Sequence, residues 1–231
     1  MIAVLGAMDG EVETVVAHLN RDRVHRFGTF VFHVGRLDDV EVIVGKSGVG
    51  KARAAMVTQH LIEQFRLDSL VFTGLAGSIN PDIRIGDTLV ARDSIQHDLD
   101  ATPLGFARGE IPYEHVRVIA SDLRLVERAR TVVPASGTVH VGRILTGDQF
   151  ISQNGLRTMD YLRTELHGDA VEMEGASVAS VCAFNDLPFC LIRTISDEAN
   201  RDARVDFERF LPIASANSFH FIRALIAADS P

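Results

Sequence analysis

Apolar residues recur along the chain with two different spacings. Runs such as "IAVLG" (2–6) and "SLVFTG" (69–74) are short and almost wholly apolar, as expected of strands buried on both faces of a sheet. The run "KARAAMVTQHLIEQF" (51–65) has its apolar residues at the three- and four-residue intervals of a helix. Strand-like and helix-like runs alternate in this way from end to end, which predicts an α/β domain.

The remaining elements follow from the same two patterns. "TFVFHVGRL" and "VEVIVGK" are separated by two aspartates and indicate an antiparallel hairpin, so the sheet is expected to be mixed. No linker or repeat interrupts the order, and residues 1–231 are expected to form a single domain. Further strands are predicted over 86–95, 138–147, 169–173 and 189–196, and helices over 9–19, 121–133 (with Ser121 as N-cap), about 155–166, 175–185 and about 206–227.

Composition limits the partners that the chain can have. The 231 residues carry a formal net charge of −8, with acids and bases interspersed, which disfavours nucleic acid and anionic membranes as partners. Cys182 and Cys190 lie in apolar surroundings and are expected to be buried free thiols. No apolar run is expected to reach the roughly 18–20 residues of a membrane span. The start "MIAVLGAM" lacks the basic region of a signal peptide, so a cytoplasmic protein is expected.

The stretch "GKSGVGKA" (45–52) closely resembles a phosphate-binding P-loop. Its glycines and Lys51 fit the pattern, but Ala52 occupies the position of the hydroxyl that holds magnesium. The next strand, "SLVFTGLAG", ends without the aspartate that binds the same ion. A glycine-rich turn that lets backbones pack closely is therefore the favoured interpretation, with Lys46 and Lys51 as surface and helix-start lysines.

Carboxylates follow several predicted strands, at the end of the sheet where ligands bind in α/β proteins. Glu11 comes after the first strand, and Asp197 ends "LIRTISD". Neighbouring acids such as Asp9, Asp148 and Glu198 are more simply explained as helix N-caps or first-turn acids.

The pair Glu172 and Glu174 in "VEMEGA" is harder to explain in that way. Two carboxylates beside Met173 and small residues are costly to bury unless something pairs with them. The vicinal diol of a sugar is a suitable partner, because one carboxylate can accept both hydroxyl hydrogens. Magnesium or calcium is a weaker option, since no ligand spacing is recognisable, and no metal is expected.

The segments "GAMDGEV", "KSGVGK", "GLAGS", "TGDQFI", "VEMEGA" and "RTISDEA", followed by "VDFERF", occur in this order over nearly the whole chain. Together they resemble the 5′-methylthioadenosine/S-adenosylhomocysteine nucleosidases of the nucleoside phosphorylase superfamily. The resemblance implies a three-layer α/β/α sandwich around a mixed β-sheet, a homodimer, and no cofactor. It also implies hydrolysis of the N-glycosidic bond of adenosine thioethers in methionine salvage and methyl-cycle detoxification.

The resemblance assigns the chemistry to three carboxyl groups. Hydrolysis of an N-glycoside needs an activated water on one face of the sugar and a protonated leaving base. Glu11 matches the family's general base for the water, and Asp197, oriented by Ser196, matches the general acid at adenine N7. Glu174 matches the carboxylate that holds the ribose 2′- and 3′-hydroxyls. Arg193 either supports these acids or forms a structural ion pair.

Substrate contacts are carried over from the family in the same way. A loop at about 100–113 would cap the neighbouring subunit's pocket, through Pro112 and either Phe106 or Leu104. Leu75 occupies a position where some family members have a serine. The implied contacts within one subunit are Met8, Val49, Ala76, Gly77, Phe150, Ile151, Glu172, Met173, Ser196 and Phe207.

Four other functions compete with this interpretation. A phosphorylase would need cationic groups for its attacking phosphate, and the segment after the first strand has no arginine before Arg21. A nucleosidase for another purine riboside, such as aminodeoxyfutalosine, stays open, although Asp197 disfavours 6-oxopurines. A silent nucleoside-binding protein and a P-loop kinase are the remaining alternatives.

Overall fold

The structure, a computed structural model, describes residues 1–151, 158–197 and 203–227, with side chains from 210 onward in the last segment. Its strands are β1 (Ile2–Gly6), β2 (Asn20–Phe27), β3 (Phe30–Leu37), β4 (Val40–Lys46), β5 (Ser69–Ser78), β6 (Thr88–Gln96), β7 (Ile119–Ala120), β8 (Val139–Thr146), β9 (Ala170–Glu172) and β10 (Phe189–Asp197). Its helices are α1 (Asp9–His18), α2 (Lys51–Gln64), α3 (Leu123–Ala129), α4 (Tyr161–Thr164), α5 (Gly175–Phe184) and α6 (Ala203–Ala227), with a 3₁₀ turn at Thr102–Leu104.

The described strands form one mixed sheet in the order β10-β6-β8-β9-β5-β1-β4-β3-β2, with β7 paired to β6. β5 and its neighbours β1 and β10 run parallel, so their carboxyl ends lie at the same edge. Strands β5, β10, β6, β8 and β9 pair with one another in a closed ring. This closure brings the ends of β8 and β9 close to the ends of β5 and β10.

Helices cover both faces of the sheet. α2 packs against α5 on one face, and α6 packs against α1 and α3 on the other. Side chains of each strand alternate between two cores, so that Ala3 and Leu5 of β1 face α2 and α5 while Ile2 and Val4 face α1, α3 and α6. The predicted three-layer α/β/α sandwich around a mixed sheet is confirmed.

The structure differs from the predicted elements at two places, and part of a third predicted element lies outside the described residues. β2 is not predicted from the sequence, because "NRDRVHRF" has no apolar alternation; the strand forms at the sheet edge through backbone pairing with β3. Ser121 does not cap α3, since the N-cap is Asp122, whose carboxylate accepts the N–H groups of Arg124 and Leu125. Of the helix predicted over about 155–166, the structure describes α4, and residues 152–157 lie outside the described residues.

Both cysteines lie in apolar elements, Cys182 in α5 and Cys190 in β10. Cys182 and Cys190 are free and buried, and burial raises the pKa of each to about 12.

Contrary to the sequence-based expectation, one segment of the described chain, Phe210–Ala227, is long and apolar enough to cross a membrane, judged by length and composition alone. Its residues Phe221 and Leu225 belong to the core beneath α1 and α3, and this packing accounts for its apolar character.

Candidate active site

A cavity of about 480 Å³ opens at the carboxyl ends of β1, β5 and β10, where ligands bind in α/β sheets. The ring of strands adds residues that follow β8 and β9. The lining residues are Ala7, Met8, Glu11, Val49, Leu75, Ala76, Gly77, Gln149, Phe150, Ile151, Val171, Glu172, Met173, Glu174, Ser196 and Asp197.

Glu11 lies in the first turn of α1 and is 3% exposed. Its Oε2 accepts the N–H groups of Ala7 (2.6 Å) and Met8 (3.0 Å), and its Oε1 accepts that of Leu75 (3.0 Å). Burial raises the pKa of Glu11, and the charge of Arg193 and the three N–H groups oppose the rise. The result is a buried carboxylate that is fixed in position and suited to act as a base.

Glu172 forms a buried ion pair with Arg193. The Nη2 of Arg193 donates to Glu172 Oε2 at 2.6 Å, and both side chains are 2% exposed. The carboxylate also accepts the N–H groups of Glu174 and Gly175 and the hydroxyl of Thr146. Of the two interpretations of Arg193, the structure shows the ion pair, and the charge of the same arginine opposes the rise in the pKa of the nearby acids Glu11 and Glu174.

Glu174 is the N-cap residue of α5 and is 6% exposed. The N–H of Gly50 donates to its Oε1 at 2.8 Å, and its Oε2 accepts no hydrogen bond from the described residues. Burial and then the negative charge of Glu172 raise the pKa of Glu174 to about 8. An oxygen is therefore left to bond a ligand, and the carboxyl group keeps its proton to a higher pH than an ordinary glutamate does.

Asp197 ends β10 and is 3% exposed. The hydroxyl of Ser196 donates to its Oδ2 at 2.9 Å. A register shift between Ile195 and Asp197 places the aspartate opposite Gly77 of β5, and a Cβ at Gly77 would lie 3.0 Å from Oδ1. The bulge and the glycine together fix the carboxyl group at the cavity wall.

The apolar residues that line the cavity fall into a buried set and an exposed set. Leu75, Ala76, Ile151 and Val171 are buried, with exposed fractions of 7% or less. Val49 and Phe150, in contrast, are 49% and 59% exposed. A flat apolar ligand therefore has packing surfaces in the cavity, and two of the large lining side chains are left uncovered.

Comparison with known proteins identifies the family of this chain. Residues 1–227 match the family model of the phosphorylase superfamily. The chain is 35% identical over 228 residues to the 5′-methylthioadenosine/S-adenosylhomocysteine nucleosidase of Anoxybacillus flavithermus, covering 97% of each chain. The chain belongs to this nucleosidase family.

Solved structures of relatives share the fold over nearly the full length. The Neisseria meningitidis nucleosidase of this family, in complex with methylthio-immucillin-A, matches with a TM-score of 0.91 at 32% identity, covering 98% of each chain. The futalosine hydrolase of Helicobacter pylori strain 26695 matches with a TM-score of 0.90 at 33% identity, covering 98% of this chain and 97% of that one.

The structure gathers most of the residues that the family resemblance implies. Beside Glu11, Glu174 and Asp197, the cavity contains Met8, Val49, Ala76, Gly77, Phe150, Ile151, Glu172, Met173 and Ser196. Phe106 and Pro112 lie in the loop between β6 and β7 and do not line this cavity. Phe207 lies in α6, in a part of the helix whose side chains are outside the described residues.

Three lining residues were not singled out from the sequence. Ala7 contributes its N–H to Glu11, and a backbone contribution of this kind leaves no signature in residue type. Val171 precedes Glu172 in β9 and reads as an ordinary strand residue. Gln149 is exposed in the cavity wall, and its position within the family-like segment "TGDQFI" could have indicated it as a lining residue.

The P-loop-like stretch binds carboxylates of the protein itself. The N–H of Gly50 donates to Glu174, and the N–H of Lys51 donates to Asp148 Oδ1 at 2.8 Å. Gly50 has a φ of 91°, which favours glycine at this N-cap of α2. A glycine-rich turn at a helix start is confirmed, but Lys51 is not a free surface lysine, because its Nζ bonds Asp98 at 2.6 Å.

Proposed function

We propose that this enzyme hydrolyses the N-glycosidic bond of 5′-methylthioadenosine and S-adenosylhomocysteine, releasing adenine and the thioribose moiety. The observation that carries the proposal is the convergence of Glu11, Glu174 and Asp197 on one cavity of about 480 Å³. The relatives of this chain are named for the same activity. In cells the reaction would serve methionine salvage and remove S-adenosylhomocysteine from the methyl cycle.

Glu11 acts as the general base in this proposal. Its raised pKa brings its basicity closer to neutral pH, and three N–H groups keep its oxygens aimed into the cavity. A water bound to Glu11 loses its proton to the carboxylate as it attacks the anomeric carbon. Because the carboxylate is buried, its negative charge also stabilises the positive charge that develops on the ribose.

Asp197 acts as the general acid on the other side of the ribose. Its protonated carboxyl donates to adenine N7 while the second oxygen accepts from the 6-amino group. The hydroxyl of Ser196, 2.9 Å from Oδ2, orients the group for this paired contact. Phe150 and Ile151 supply the packing surface for the purine ring.

Glu174 binds the ribose through its 2′- and 3′-hydroxyls. Its Oε1 is held by Gly50 at 2.8 Å, so the side chain is already in place when the substrate arrives. Glu172 forms the cavity wall behind it, with its own oxygens bonded to Arg193 and to backbone N–H groups. We therefore assign Glu172 to positioning Glu174.

The charge of the cavity lining suits water better than phosphate as the attacking group. None of the described lining residues is an arginine or lysine, and four of them are acids. A phosphate dianion would meet these carboxylates without a cation free to bind it, since Arg193 is paired with Glu172. The hydrolase alternative is favoured over the phosphorylase for this reason.

A second candidate substrate is a larger adenine riboside of the aminodeoxyfutalosine type. One structural relative is a futalosine hydrolase, and the exposure of Val49 leaves space beside the cavity for a bulky 5′ substituent. Asp197 disfavours a 6-oxopurine, for which asparagine is the natural partner.

The proposal includes a homodimer in the cytoplasm and requires no metal or cofactor. The loop at about 100–113 would cover the partner subunit's cavity, where Val49 and Phe150 are exposed. In that loop Phe106 packs edge-on against Tyr113, which is 81% exposed. Within the described residues, no three histidine, cysteine or acidic side chains are grouped as a metal site.

One assay tests the proposal directly. Purified protein is incubated with 5′-methylthioadenosine, S-adenosylhomocysteine or aminodeoxyfutalosine, with and without phosphate, and free adenine is measured. Release of adenine from the first two substrates without phosphate is expected. Release that depends on phosphate would replace hydrolysis by phosphorolysis, and release from aminodeoxyfutalosine alone would select the second candidate.

A further inference from the structure

Three residues from three separate segments form a closed set of hydrogen bonds beside the cavity. The N–H of Lys51 donates to Asp148 Oδ1 at 2.8 Å, and the N–H of Asp148 donates to Asp98 Oδ2 at 2.9 Å. The Nζ of Lys51 completes the set by donating to Asp98 Oδ1 at 2.6 Å. We refer to Lys51, Asp98 and Asp148 as the clasp.

Each member of the clasp adjoins a different part of the candidate site. Lys51 follows Gly50, whose N–H holds Glu174 at 2.8 Å. Asp148 precedes the segment with Phe150, which lines the cavity. Asp98 lies just after β6, where the loop that carries Phe106 begins. The clasp therefore links the ribose carboxylate, the purine wall and the loop.

The choice of lysine at this position is unusual for the chain. Of its 23 lysine and arginine residues, only Lys46 and Lys51 are lysines. The side chains of Lys51 and Asp98 are 19% and 22% exposed, so their ion pair is largely shielded from solvent. Burial opposes ionisation of Asp98, but its bonds to Lys51 and to the N–H of Asp148 hold its pKa below the usual range.

We propose that Lys51 is a positioning residue for the reaction, which fixes the Gly50 N–H against Glu174 and the Phe150 segment against the purine. The inference rests on the proposed function, since it concerns the same cavity. Lys51 does not line the cavity, so it touches no reacting atom and its contribution lies in holding the two halves of a nucleoside site in register. Its loss should therefore weaken binding more than it slows chemistry.

The chain offers a matched control in its other lysine. Lys46 lies in the same glycine-rich stretch, and its Nζ contacts Asp9 at 2.5 Å, but the Asp9 side chain is 79% exposed. Lys51→Met is expected to raise the KM for 5′-methylthioadenosine, and the calorimetric Kd for adenine, by about tenfold or more, because a charge-assisted bond is lost. The kcat should change by less than about threefold, and Lys46→Met should change all three values by less than about twofold.

Asp98→Asn provides a second variant that keeps the shape of the side chain. It should also raise the KM. The double variant with Lys51→Met should have a KM no higher than that of the worse single variant, because both substitutions break the same clasp.

A KM and adenine affinity for Lys51→Met equal to those of Lys46→Met would overturn the inference, as would additive increases in KM in the double variant. If Lys51→Met does not fold, a normal KM for Asp98→Asn overturns it. Failure of the proposed function is distinguishable, because the unaltered protein would then release no adenine.

Discussion

Glu11 and Glu174 lie in the same cavity, but their hydrogen bonds differ. Three backbone N–H groups donate to Glu11 and occupy both of its oxygens, whereas Glu174 receives one, from Gly50. Burial raises the pKa of both groups, and that of Glu174 reaches about 8. Bonds to the charged form favour it, so Glu11 is the better placed of the two to work as an ionised base.

The first prediction concerns Glu11 and Asp197, the two groups proposed to transfer protons. Glu11→Gln and Asp197→Asn should each lower kcat for 5′-methylthioadenosine by about 10²–10⁴-fold, since a general acid or base supplies an acceleration of this size. The measurement is steady-state release of adenine, together with the melting temperature to show that the fold is intact.

Asp9→Asn serves as the control for this pair. Asp9 lies two residues before Glu11 in the same helix turn, and its side chain is 79% exposed. Its replacement should change kcat by less than about twofold, because exposed ion pairs contribute little. Near-normal turnover in Glu11→Gln or Asp197→Asn would remove that residue from its assigned role.

The second prediction follows from the raised pKa of Glu174. The folded-state pKa, about 8, lies above the ordinary carboxyl value of 4.5, so between these values the folded chain keeps a proton that the unfolded chain has lost. Stability therefore falls as the pH rises through this window. Glu174→Gln removes this titration, so at pH 8 the variant should be more stable than the unaltered protein. Its melting temperature should be higher by about 2–4 °C for each kcal/mol of stability gained. Differential scanning calorimetry between pH 4.5 and 8.5 should show the advantage of the variant disappear at the acidic end.

Glu172→Gln should behave in the opposite way. Its negative charge is paired with Arg193 at 2.6 Å, and removing one partner of a buried pair costs about 3–5 kcal/mol. The variant should melt below the unaltered protein over the whole pH range. An equal effect of both substitutions would contradict the different surroundings assigned to the two glutamates.

The sequence could reveal that these acids need partners but not which partner each one has. "VEMEGA" indicated two carboxylates that are costly to bury, and both are buried. Arg193 lies 21 residues away from Glu172, and only the pairing of β10 and β9 with β5 brings them together. Residue type and spacing cannot predict a contact between strands that are distant in sequence, so the partner of Arg193 follows only from the strand pairing.

At the scale of elements, a glycine in the middle of β5 makes room for Glu11. A Cβ on Gly74 would lie 2.5 Å from Glu11 Oε1, and the φ of 154° at this residue also favours glycine. Gly74→Ala should therefore displace Glu11, lower kcat/KM by about tenfold or more and cost about 1–3 kcal/mol in stability. Kinetics and denaturant unfolding measure the two effects.

Gly28→Ala separates backbone strain from displacement of the base. Gly28 has a φ of 55°, and a Cβ there would meet nothing within 4 Å. The variant should lose about 1 kcal/mol of stability and keep its activity. Equal kcat/KM values for Gly74→Ala and Gly28→Ala would show that Glu11 does not depend on the space at Gly74.

Elements were predictable in proportion to their burial. β1, β5 and β10 are buried along almost their whole length, and their apolar runs predicted them. β2 is mostly exposed and polar, so its pairing with β3 left no pattern in the sequence. The closed ring was also unpredictable, because it depends on which strands pair and not on where the strands lie.

At the scale of the whole molecule, the cavity of one chain is incompletely covered. Val49 and Phe150 are 49% and 59% exposed there, and Phe106 lies in a loop that does not reach its own chain's cavity. A homodimer in which each loop covers the other subunit's cavity would bury these apolar side chains. The arrangement predicts that a catalytic base and a lid from different subunits make one site.

Mixed dimers test this arrangement. One subunit carries Glu11→Gln with an intact loop, and the other carries Phe106→Ala with an intact cavity; differently tagged chains are co-expressed and the heterodimer is purified. Its one intact cavity faces the one intact loop, so kcat/KM should be about half that of the unaltered dimer. The Glu11→Gln homodimer should be nearly inactive, by the loss of about 10²–10⁴-fold expected for a base, and the Phe106→Ala homodimer should have a raised KM at both cavities.

If each loop instead covered the cavity of its own chain, the only cavity with an intact Glu11 would have the altered loop, and the heterodimer would keep the raised KM of the Phe106→Ala homodimer. The KM of the heterodimer therefore decides between a lid given by the partner subunit and one that closes on its own chain.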